Sequence, residues 1–249
     1  MRLTVLGSSG SYPAAGRPGS GYLLEQRGTR VWCDAGPGTF DALARTIDID
    51  LVDAIVVSHR HADHCADLLA ALHAWAYRPE PRLGVPLYAP ISVFEALEAF
   101  LDADAGHDLH RVFDFHPVGD GSRADIGELD VRFVITDHSV PNVASRFSDG
   151  SRVFAFTGDT GPEGSWHPIV EGAHLLLCEA TYQESDEEPE YPHHLTAAEA
   201  GRIAREGGVR ELMITHIPPN LDPDRSVGEA ERTFDRPVAI AVPGASHKV

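Results

Sequence analysis

The stretch VVSHRHADHC (residues 56–65) contains three histidines and one aspartate within six positions, directly behind an apolar run. The run DAIVVS predicts a buried strand and a helical pattern follows the cluster, so these four residues lie on a strand-to-helix loop. Side chains on such a loop can converge, and alternate residues of an extended segment point the same way. His59 and His61 can therefore bind one metal ion, while Asp63 and His64 can bind a second.

The residue types in this cluster narrow the kind of site. Imidazole and carboxylate suit zinc, manganese or iron, whereas a purely structural zinc site more often uses cysteine. Cys65 directly follows the cluster, and we predict that it packs at the start of the helix rather than binding metal. Because the chain has fourteen histidines, the alternative to a metal site is that the histidines cluster here by chance. Further motifs elsewhere in the sequence distinguish the two interpretations.

Strand and helix patterns alternate along the chain. Several short runs rich in Val, Ile, Leu and Phe are apolar on both faces, as strands buried between two layers are. The strand-like runs are RLTVLG, GYLLEQ, TRVWCDA, DAIVVS, LDVRFVIT, RVFAFTGD, AHLLLCEA, ELMITH and VAIAV. Helical patterns lie near 39–46, 65–77, 92–101, 196–206 and 225–235. Thr196 and Glu199 predict a capping box at the start of the fourth helix, and because no linker interrupts the patterns we predict one α/β domain over residues 1–249.

The net charge argues against an extended nucleic-acid partner. Acidic residues outnumber basic residues 38 to 20, which gives a formal charge of −18, and Lys248 is the only lysine. Two divalent ions, carrying +4 together, would reduce −18 only to about −14. A long polyanion prefers a basic surface, whereas a small anion can be attracted by a metal centre at short range. We therefore expect a small anionic substrate.

Cysteine and hydropathy patterns bear on location. Cys33, Cys65 and Cys178 are widely spaced and odd in number, which favours free thiols in a reducing cytoplasm. No uninterrupted apolar run reaches about 18 residues and no opening segment resembles a signal peptide, so we expect neither a membrane span nor export. The acidic stretch ESDEEPE (184–190) is typical of a solvated loop.

Beyond the first motif, the chain resembles one known family over nearly its whole length. His-x-His-x-Asp-His behind a hydrophobic strand resembles the signature of the metallo-β-lactamase fold hydrolases, and LGSSGSYP and WCDAGPGT are similar to that family's first two hairpins. Three further family elements follow in order, each at the end of a predicted strand: TDHSVPN with His138, FTGDTG with Asp159 and LMITHIPP with His216. The resemblance implies a four-layer αβ/βα sandwich in which helices flank two mixed sheets.

The resemblance also implies two divalent metal ions and their ligands. The ions would be zinc, with manganese or iron as alternatives. The seven ligands form two groups and a bridge: His59, His61 and His138 in the first ligand group, Asp63, His64 and His216 in the second ligand group, and Asp159 between them. Two such ions about 3.5–4 Å apart can activate water and stabilise a leaving oxygen. Asp63 is also predicted to be a catalytic residue.

Two further elements resemble those of ribonuclease Z and its short relatives. LLLCEATY is similar to their His-Glu-Ala-Thr element, with Cys178 in place of the histidine and Glu179 retained. HHLTAAEA is similar to their His-Ser-Thr element, with His194 aligned and Leu195 in place of the serine. The resemblance implies that Glu179 orients a protonated His194, which donates a proton to the departing oxygen. The alternatives are an ordinary strand-end carboxylate at Glu179 and the neighbouring His193 as the donor.

The features that bind transfer RNA in this branch are missing. Ribonuclease Z enzymes carry a Gly/Pro-rich arm between the elements that correspond to His138 and Asp159, but here these residues are only 21 positions apart and SVPNVASRFSDGSRVFAFTG predicts a single hairpin. The family's Pro-x-Lys-x-Arg-Asn loop is also broken, because PAAGRP keeps Pro13 and Arg17 but lacks the lysine and the asparagine. Together with the acidic charge, these departures argue against transfer RNA processing.

The sequence therefore predicts a binuclear metal-dependent hydrolase, a phosphodiesterase for small phosphodiesters such as cyclic nucleotides. The alternatives are a ribonuclease Z-like endonuclease for transfer RNA 3′ ends, a lactam or thiolester hydrolase, and a non-catalytic binding member of the same fold. A non-catalytic member would usually have lost ligands, and all seven are present. The sequence leaves a homodimer open.

Overall fold

Two seven-stranded sheets form the centre of the computed structural model, which describes residues 1–185 and 191–249. The strands of the first sheet are β1 (Arg2–Gly7), β2 (Gly21–Gln26), β3 (Thr29–Cys33), β4 (Ala54–Val56), β5 (Val85–Ala89), β6 (Phe113–Pro117) and β14 (Ser246–Lys248). They lie in the order β14-β1-β2-β3-β4-β5-β6. Neighbouring strands are antiparallel from β14 to β3 and parallel from β3 to β6.

The second sheet follows the same plan with its own strands. They are β7 (Arg123–Ile126), β8 (Leu129–Ile135), β9 (Val143–Ser148), β10 (Val153–Phe156), β11 (Leu175–Glu179), β12 (Glu211–Thr215) and β13 (Val238–Ile240). Their order is β13-β12-β11-β10-β9-β8-β7. Neighbours are antiparallel from β7 to β10 and parallel from β10 to β13, so each sheet has one antiparallel half and one parallel half.

Helices cover the outer face of each sheet. The helices are α1 (Thr39–Thr46), α2 (Ala62–Cys65), α3 (Asp67–Ala76), α4 (Ile91–Phe100), α5 (Ala103–Val112), α6 (His167–Val170), α7 (Ala197–Glu206) and α8 (Pro223–Phe234). Apolar residues of α1, α3, α4 and α5 pack on the first sheet. Those of α6, α7 and α8 pack on the second sheet.

Alternation along the strands decides which layer each side chain enters. In β2, Leu23 packs towards the helices, whereas Tyr22 and Leu24 pack between the two sheets. Phe133 of β8 and Phe147 of β9 meet them there from the second sheet. Three apolar layers therefore separate four layers of secondary structure, which confirms the predicted αβ/βα sandwich.

One predicted helix is interrupted next to the histidine motif. The sequence predicts one helix over 65–77, but the structure has the short α2 followed by α3. The carbonyl groups of Asp63 and His64, which could accept hydrogen bonds within a continuous helix, accept them from the amides of Ser20 and Ala35 at 3.0 and 2.6 Å. The motif is thereby tied to the chain on both sides of the β2–β3 hairpin.

Most other predicted elements are present. β9 and β10 form the hairpin predicted ahead of Asp159, and the capping box of Thr196 and Glu199 begins α7. The sequence patterns do not predict six of the elements, because proline or polar residues interrupt their apolar runs. These elements are β5, β6, β7, β14, α5 and α6. The acidic stretch predicted as a solvated loop lies largely outside the described residues. Within the part of the chain that is described, no helix has the length and apolar character needed to cross a membrane.

Candidate metal centre

Five strands deliver candidate side chains to one edge of the sandwich. His59 follows β4, His138 follows β8, Asp159 follows β10, Glu179 ends β11 and His216 follows β12. Within the second sheet, β8, β10, β11 and β12 run in the same direction, so their carboxyl ends share an edge. Residues far apart in the sequence are brought together at this edge.

The first ligand group consists of three histidines. Nε2 of His59 lies 3.0 Å from Nδ1 of His61, and that Nδ1 lies 3.1 Å from Nε2 of His138. His59 is fully buried, whereas His61 and His138 are partly exposed. The three nitrogens therefore converge near the surface of the protein.

The second ligand group is more enclosed, because both of its histidines are buried. Nε2 of His216 lies 3.1 Å from both Nε2 of His64 and Oδ2 of Asp63. Asp159 lies between the two groups: Oδ1 is 3.3 Å from Nε2 of His64, and Oδ2 is 3.6 Å from Nε2 of both His59 and His216. The structure thus brings all seven predicted residues together, and their role as ligands stays a prediction.

Hydrogen bonds on the far side of the rings orient the first ligand group. Nδ1 of His138 donates to the backbone carbonyl of His193 at 3.0 Å, and Nδ1 of His59 lies 3.0 Å from Oγ of Ser58. Ser58 donates its own hydrogen to Oδ2 of Asp34 at 2.9 Å, so its oxygen accepts from His59. With the hydrogen on Nδ1, Nε2 of each ring presents a lone pair to the centre.

A carboxylate and a hydroxyl orient the second ligand group. Oδ2 of Asp34 accepts from Nδ1 of His64 at 2.6 Å, and Oγ1 of Thr181 lies 2.8 Å from Nδ1 of His216. A carboxylate behind a histidine fixes the tautomer that binds metal and makes the ring a stronger ligand. Asp34 and His216 have φ values of 56° and 59°, which few residues other than glycine adopt, so the backbone is strained at both positions.

The donor set fits divalent metal ions. Oδ1 of Asp159 is buried without a hydrogen bond, and Nε2 atoms of His64 and His216 face each other. Buried acceptors that point at one another repel unless a cation or a proton lies among them. Among the described residues, three groups have ligand atoms within 4.8 Å of one another: His59, His61, His138 and Asp159; Asp63, His64 and His216; and Asp159, His194 and His216.

Charge differs between the two ligand groups. Burial lowers the pKa of His59 and neighbouring His64 lowers it further, so the ring is neutral and able to bind metal. Burial also lowers the pKa of His64, but the carboxylates of Asp159, Asp63 and Asp34 outweigh burial and hold this pKa well above its ordinary value. The second ligand group therefore favours a positive charge, which a proton or a metal ion can supply.

His194 and Glu179 form a pair beside the ligands. Nδ1 of His194 lies 3.0 Å from Oε1 of Glu179 and 3.8 Å from Oδ2 of Asp159. Glu179 is buried and also accepts from the amide of Thr160 at 2.8 Å and from the hydroxyl of Thr181 at 2.6 Å. Burial lowers the pKa of His194, but the charge and hydrogen bond of Glu179, with Asp159, raise it to about 9. His194 is thus a partly exposed imidazole, held by Glu179, next to the ligand groups.

His193, the alternative donor, has different contacts. Its Nδ1 lies 3.2 Å from Oδ1 of Asp137, and its backbone carbonyl accepts from His138. The geometry therefore favours His194 over His193 as the partner of Glu179. Cys65 is buried in the core on the helix side of the first sheet, in agreement with the predicted packing role.

Sequence reasoning missed three residues that support the ligands. Asp34 and Ser58 hold rings of both ligand groups, and Thr181 holds His216. Asp34 follows β3 and Ser58 follows β4 by only one or two positions, and Thr181 follows β11 in the same way. Their place at strand ends, where functional side chains concentrate, is one signal that could have indicated them. Thr181 also stands in the threonine position of the His-Glu-Ala-Thr element that LLLCEATY resembles.

A family comparison agrees with this arrangement. A profile described as the beta-lactamase superfamily domain matches residues 29–217, which include all seven candidate ligands. The chain belongs to the beta-lactamase superfamily. The match confirms the family predicted from the histidine motif.

Related sequences cover nearly all of this superfamily member. The uncharacterized protein Rv1339 of Mycobacterium tuberculosis is 36% identical over 250 residues, covering 97% of this chain and 90% of that protein. The probable metallo-hydrolase YhfI of Bacillus subtilis is 30% identical over 251 residues, covering 98% of both. Ribonuclease Z of Methanopyrus kandleri is 29% identical over 275 residues, covering 96% of this chain and 94% of that enzyme.

Solved structures show the same fold. The crystal structure of Bacillus subtilis YhfI, described as a metallo-beta-lactamase fold protein, matches with a TM-score of 0.87, 28% identity and 99% coverage of both chains. The short form of human tRNase Z matches with a TM-score of 0.78 and 18% identity, covering 100% of this chain and 99% of that one. Together with the family model and the related sequences, this fold identifies the chain as a metallo-hydrolase of the ribonuclease Z-like metallo-β-lactamase fold, with a His/Asp cluster that could bind metal ions.

Proposed function

We propose that this chain is a binuclear metal-dependent phosphodiesterase that hydrolyses small phosphodiesters such as cyclic nucleotides. The observation that carries the proposal is the His194–Glu179 pair, which places an imidazole 3.8 Å from the bridging carboxylate of Asp159. The alkoxide that leaves a phosphodiester needs a proton, whereas the thiolate that leaves a thiolester departs without one. A proton donor beside the ligand groups therefore favours the phosphodiester.

The ligand groups would each hold one divalent ion, with Asp159 shared between them. Zinc fits the imidazole and carboxylate ligands, and manganese or iron are the alternatives. When bound, such ions lower the pKa of water and stabilise negative charge on a phosphate oxygen. Asp63 is partly exposed, so beside its contact with His216 it can also accept a hydrogen bond from the attacking water.

His194 would donate the proton to the leaving oxygen. Its Nδ1 is held by Glu179, so Nε2 is the nitrogen left to reach a substrate. Glu179 accepts hydrogen bonds from Thr160 and Thr181 as well, which keeps its carboxylate fixed while His194 gives up and regains a proton. The pair therefore positions a general acid.

Size and charge support a small substrate. β9 and β10 form a short hairpin where ribonuclease Z carries its arm, and the formal charge of −18 opposes an extended polyanion. A cyclic nucleotide presents a single negative charge, which two cations can attract at short range. The 29% identity to ribonuclease Z supports phosphodiester chemistry, and it also makes a transfer RNA endonuclease the second candidate.

A cytoplasmic location is part of the proposal. Cys33, Cys65 and Cys178 are all buried and unpaired, which supports a reducing compartment. We propose that the site binds a small anionic molecule. A homodimer is compatible with this proposal.

The test compares substrates on one preparation. Protein loaded with Zn²⁺, and separately with Mn²⁺, is assayed on cyclic nucleotides, bis(p-nitrophenyl) phosphate, precursor transfer RNA, a lactam and a thiolester. We expect kcat/KM on cyclic nucleotides to be far higher than on precursor transfer RNA, with weak dependence on salt because few phosphates contact the protein. Asp159→Asn, purified in the same way, controls for contaminating hydrolases.

Three other patterns of substrate turnover would contradict the proposed phosphodiesterase activity. Efficient trimming of precursor transfer RNA at physiological salt, with cyclic nucleotides untouched, would select the endonuclease. Turnover of the lactam or the thiolester alone would select those hydrolase classes. Metal binding without turnover of any substrate would select a binding role.

A further inference from the structure

We propose that Thr181 is a positioning residue that connects the proton donor to the second ligand group through one hydroxyl. Oγ1 of Thr181 lies 2.6 Å from Oε2 of Glu179, 2.8 Å from Nδ1 of His216 and 3.2 Å from Nδ1 of His194. Thr181, Glu179 and His216 are all buried, so water does not compete for these contacts. One side chain thus touches a candidate metal ligand, the candidate general acid and the carboxylate that orients it.

The direction of these hydrogen bonds follows from counting hydrogens. Thr181 has one hydroxyl hydrogen, and the short contact to the carboxylate of Glu179 assigns that hydrogen to Oε2. The hydroxyl oxygen is then an acceptor towards His216, so Nδ1 of His216 carries a hydrogen. Nε2 of His216 is left with a lone pair directed at the second ligand group, which is the tautomer that binds metal.

The same hydroxyl also fixes Glu179. Its hydrogen bond, together with the amide of Thr181 at 3.2 Å, occupies Oε2, while the amide of Thr160 and Nδ1 of His194 share Oε1. All four contacts together hold the carboxylate in one rotamer. Without the hydroxyl, Oε2 would lose its shortest contact and His194 would lose a fixed partner.

The two ligand-group histidines that face each other are thus supported in different ways. His64 is backed directly by the carboxylate of Asp34, whereas His216 is backed by the carboxylate of Glu179 through Thr181. Only the second arrangement reaches His194 as well. The effect on the proton donor rests on the proposed function, whereas the effect on His216 does not.

The experiment removes and restores the hydroxyl. Thr181→Val removes it with little change of shape, Thr181→Ser keeps it, and Thr233→Val is the matched control, because Oγ1 of Thr233 bonds to backbone carbonyls of α7 and α8. Protein loaded with Zn²⁺ is titrated with a chromogenic chelator, which measures the affinity of each ion. ¹⁵N-histidine NMR of the loaded protein shows whether Nδ1 of His216 carries its hydrogen, and kcat and KM are measured on bis(p-nitrophenyl) phosphate and on a cyclic nucleotide.

We expect Thr181→Val to lower the affinity for one of the two Zn²⁺ ions about 10–100-fold, because loss of a residue behind a ligand has that effect on metal affinity. The substitution should also alter the NMR signal of His216. On the cyclic nucleotide it should also lower kcat more than it raises KM. The loss of kcat should be smaller on bis(p-nitrophenyl) phosphate, because p-nitrophenolate leaves without a proton. Thr181→Ser should restore both properties, and Thr233→Val should change neither.

Three results would overturn the inference. They are unchanged Zn²⁺ affinity and an unchanged His216 signal in folded Thr181→Val, an equal loss in Thr181→Ser, and a comparable loss in Thr233→Val. If Thr181→Val does not fold, Thr181→Cys replaces it, since a thiol is a poor acceptor of similar size. Failure of the wild-type protein to hydrolyse diesters would refute the proposed function and leave the metal result standing.

Discussion

The two ligand groups consist of three side chains each, but they differ in the type of side chain and in its surroundings. In the first ligand group, two of the three histidines are partly exposed, and a serine hydroxyl and a backbone carbonyl hold the rings. In the second ligand group both histidines are buried, Asp63 adds a carboxylate, and the carboxylate of Asp34 lies directly behind His64. Each group has three candidate ligands of its own. The two groups therefore differ in burial, in charge and in the residues behind the ligands, but not in the number of ligands.

Two groups with the same number of candidate ligands therefore need not bind an ion with the same affinity. Charged ligands and carboxylate-backed histidines bind a cation more strongly than neutral imidazoles do. We therefore expect the second ligand group to hold its ion more tightly, and the first to exchange its ion with solvent more readily. Substitutions at Asp159, His194 and Asp34 test this expectation.

Asp159 lies between both ligand groups, so its removal should have the largest effect on metal binding. Asp159→Ala takes away the only carboxylate that lies between both groups among the described residues, and it leaves neighbouring cations without a shared negative charge. We expect loss of at least one ion, measured by elemental analysis, and loss of nearly all hydrolysis. Full activity in this variant, or in metal-stripped protein, would refute a binuclear mechanism.

His194→Ala tests whether His194 belongs to the second ligand group or serves as a separate donor. Its ring stacks on that of His216 at 5.6 Å, and its Nδ1 lies near Asp159. His194 is therefore also placed to bind a metal ion, and the variant distinguishes this role from that of a proton donor. We expect both ions to remain and kcat to fall about 10²–10⁴-fold, because a general acid is lost. The loss should shrink for p-nitrophenolate, which leaves without a proton.

Two results would contradict the role of His194. Loss of an ion in His194→Ala would place the residue among the ligands. Equal losses of kcat for good and poor leaving groups would show that it binds substrate instead of donating a proton.

Asp34→Asn should weaken the second ligand group selectively. The amide can keep one contact with Nδ1 of His64, but it removes the negative charge behind the ring. We expect about 10–100-fold weaker binding of the tighter ion and little change for the other, measured by chelator competition. Asp41→Asn, an exposed aspartate on α1 that pairs with Arg45, is the matched control. A uniform loss at both ions would mean that Asp34 supports the whole centre through Ser58, and the asymmetry would not hold.

The sequence identified the candidate ligands, whereas it did not identify the residues that hold them in place. His59, His61, Asp63 and His64 stand in one short motif, and resemblance supplied the distant partners at strand ends. The four-layer fold followed from the same resemblance and from apolar runs between helical patterns. These predictions rest on local patterns, which a sequence displays directly.

What the sequence did not show depends on contacts between distant segments. Thr181 stands in the threonine position of the quoted His-Glu-Ala-Thr element, but neither its sequence position nor that of Asp34 shows that folding places them behind His216 and His64. The break between α2 and α3 was missed for the same reason, since the apolar pattern continues while the hydrogen bonds are taken by other loops. The shared plan of the two sheets left no repeat in the sequence, because many different apolar residues satisfy one strand order.

The backbone bonds at that break have a consequence for protein design. Ser20 and Ala35 hold the carbonyls of Asp63 and His64, so the curvature of the motif is imposed from outside the motif. Grafting the ten residues VVSHRHADHC onto another strand–helix junction would transfer the side chains but not the amides of Ser20 and Ala35. The carbonyls of Asp63 and His64 could then accept from the next helical turn, and α2 and α3 could join into one helix. The smallest portable unit of this half of the candidate centre therefore extends from the loop before β2 to the start of α3, which includes the β2–β3 hairpin.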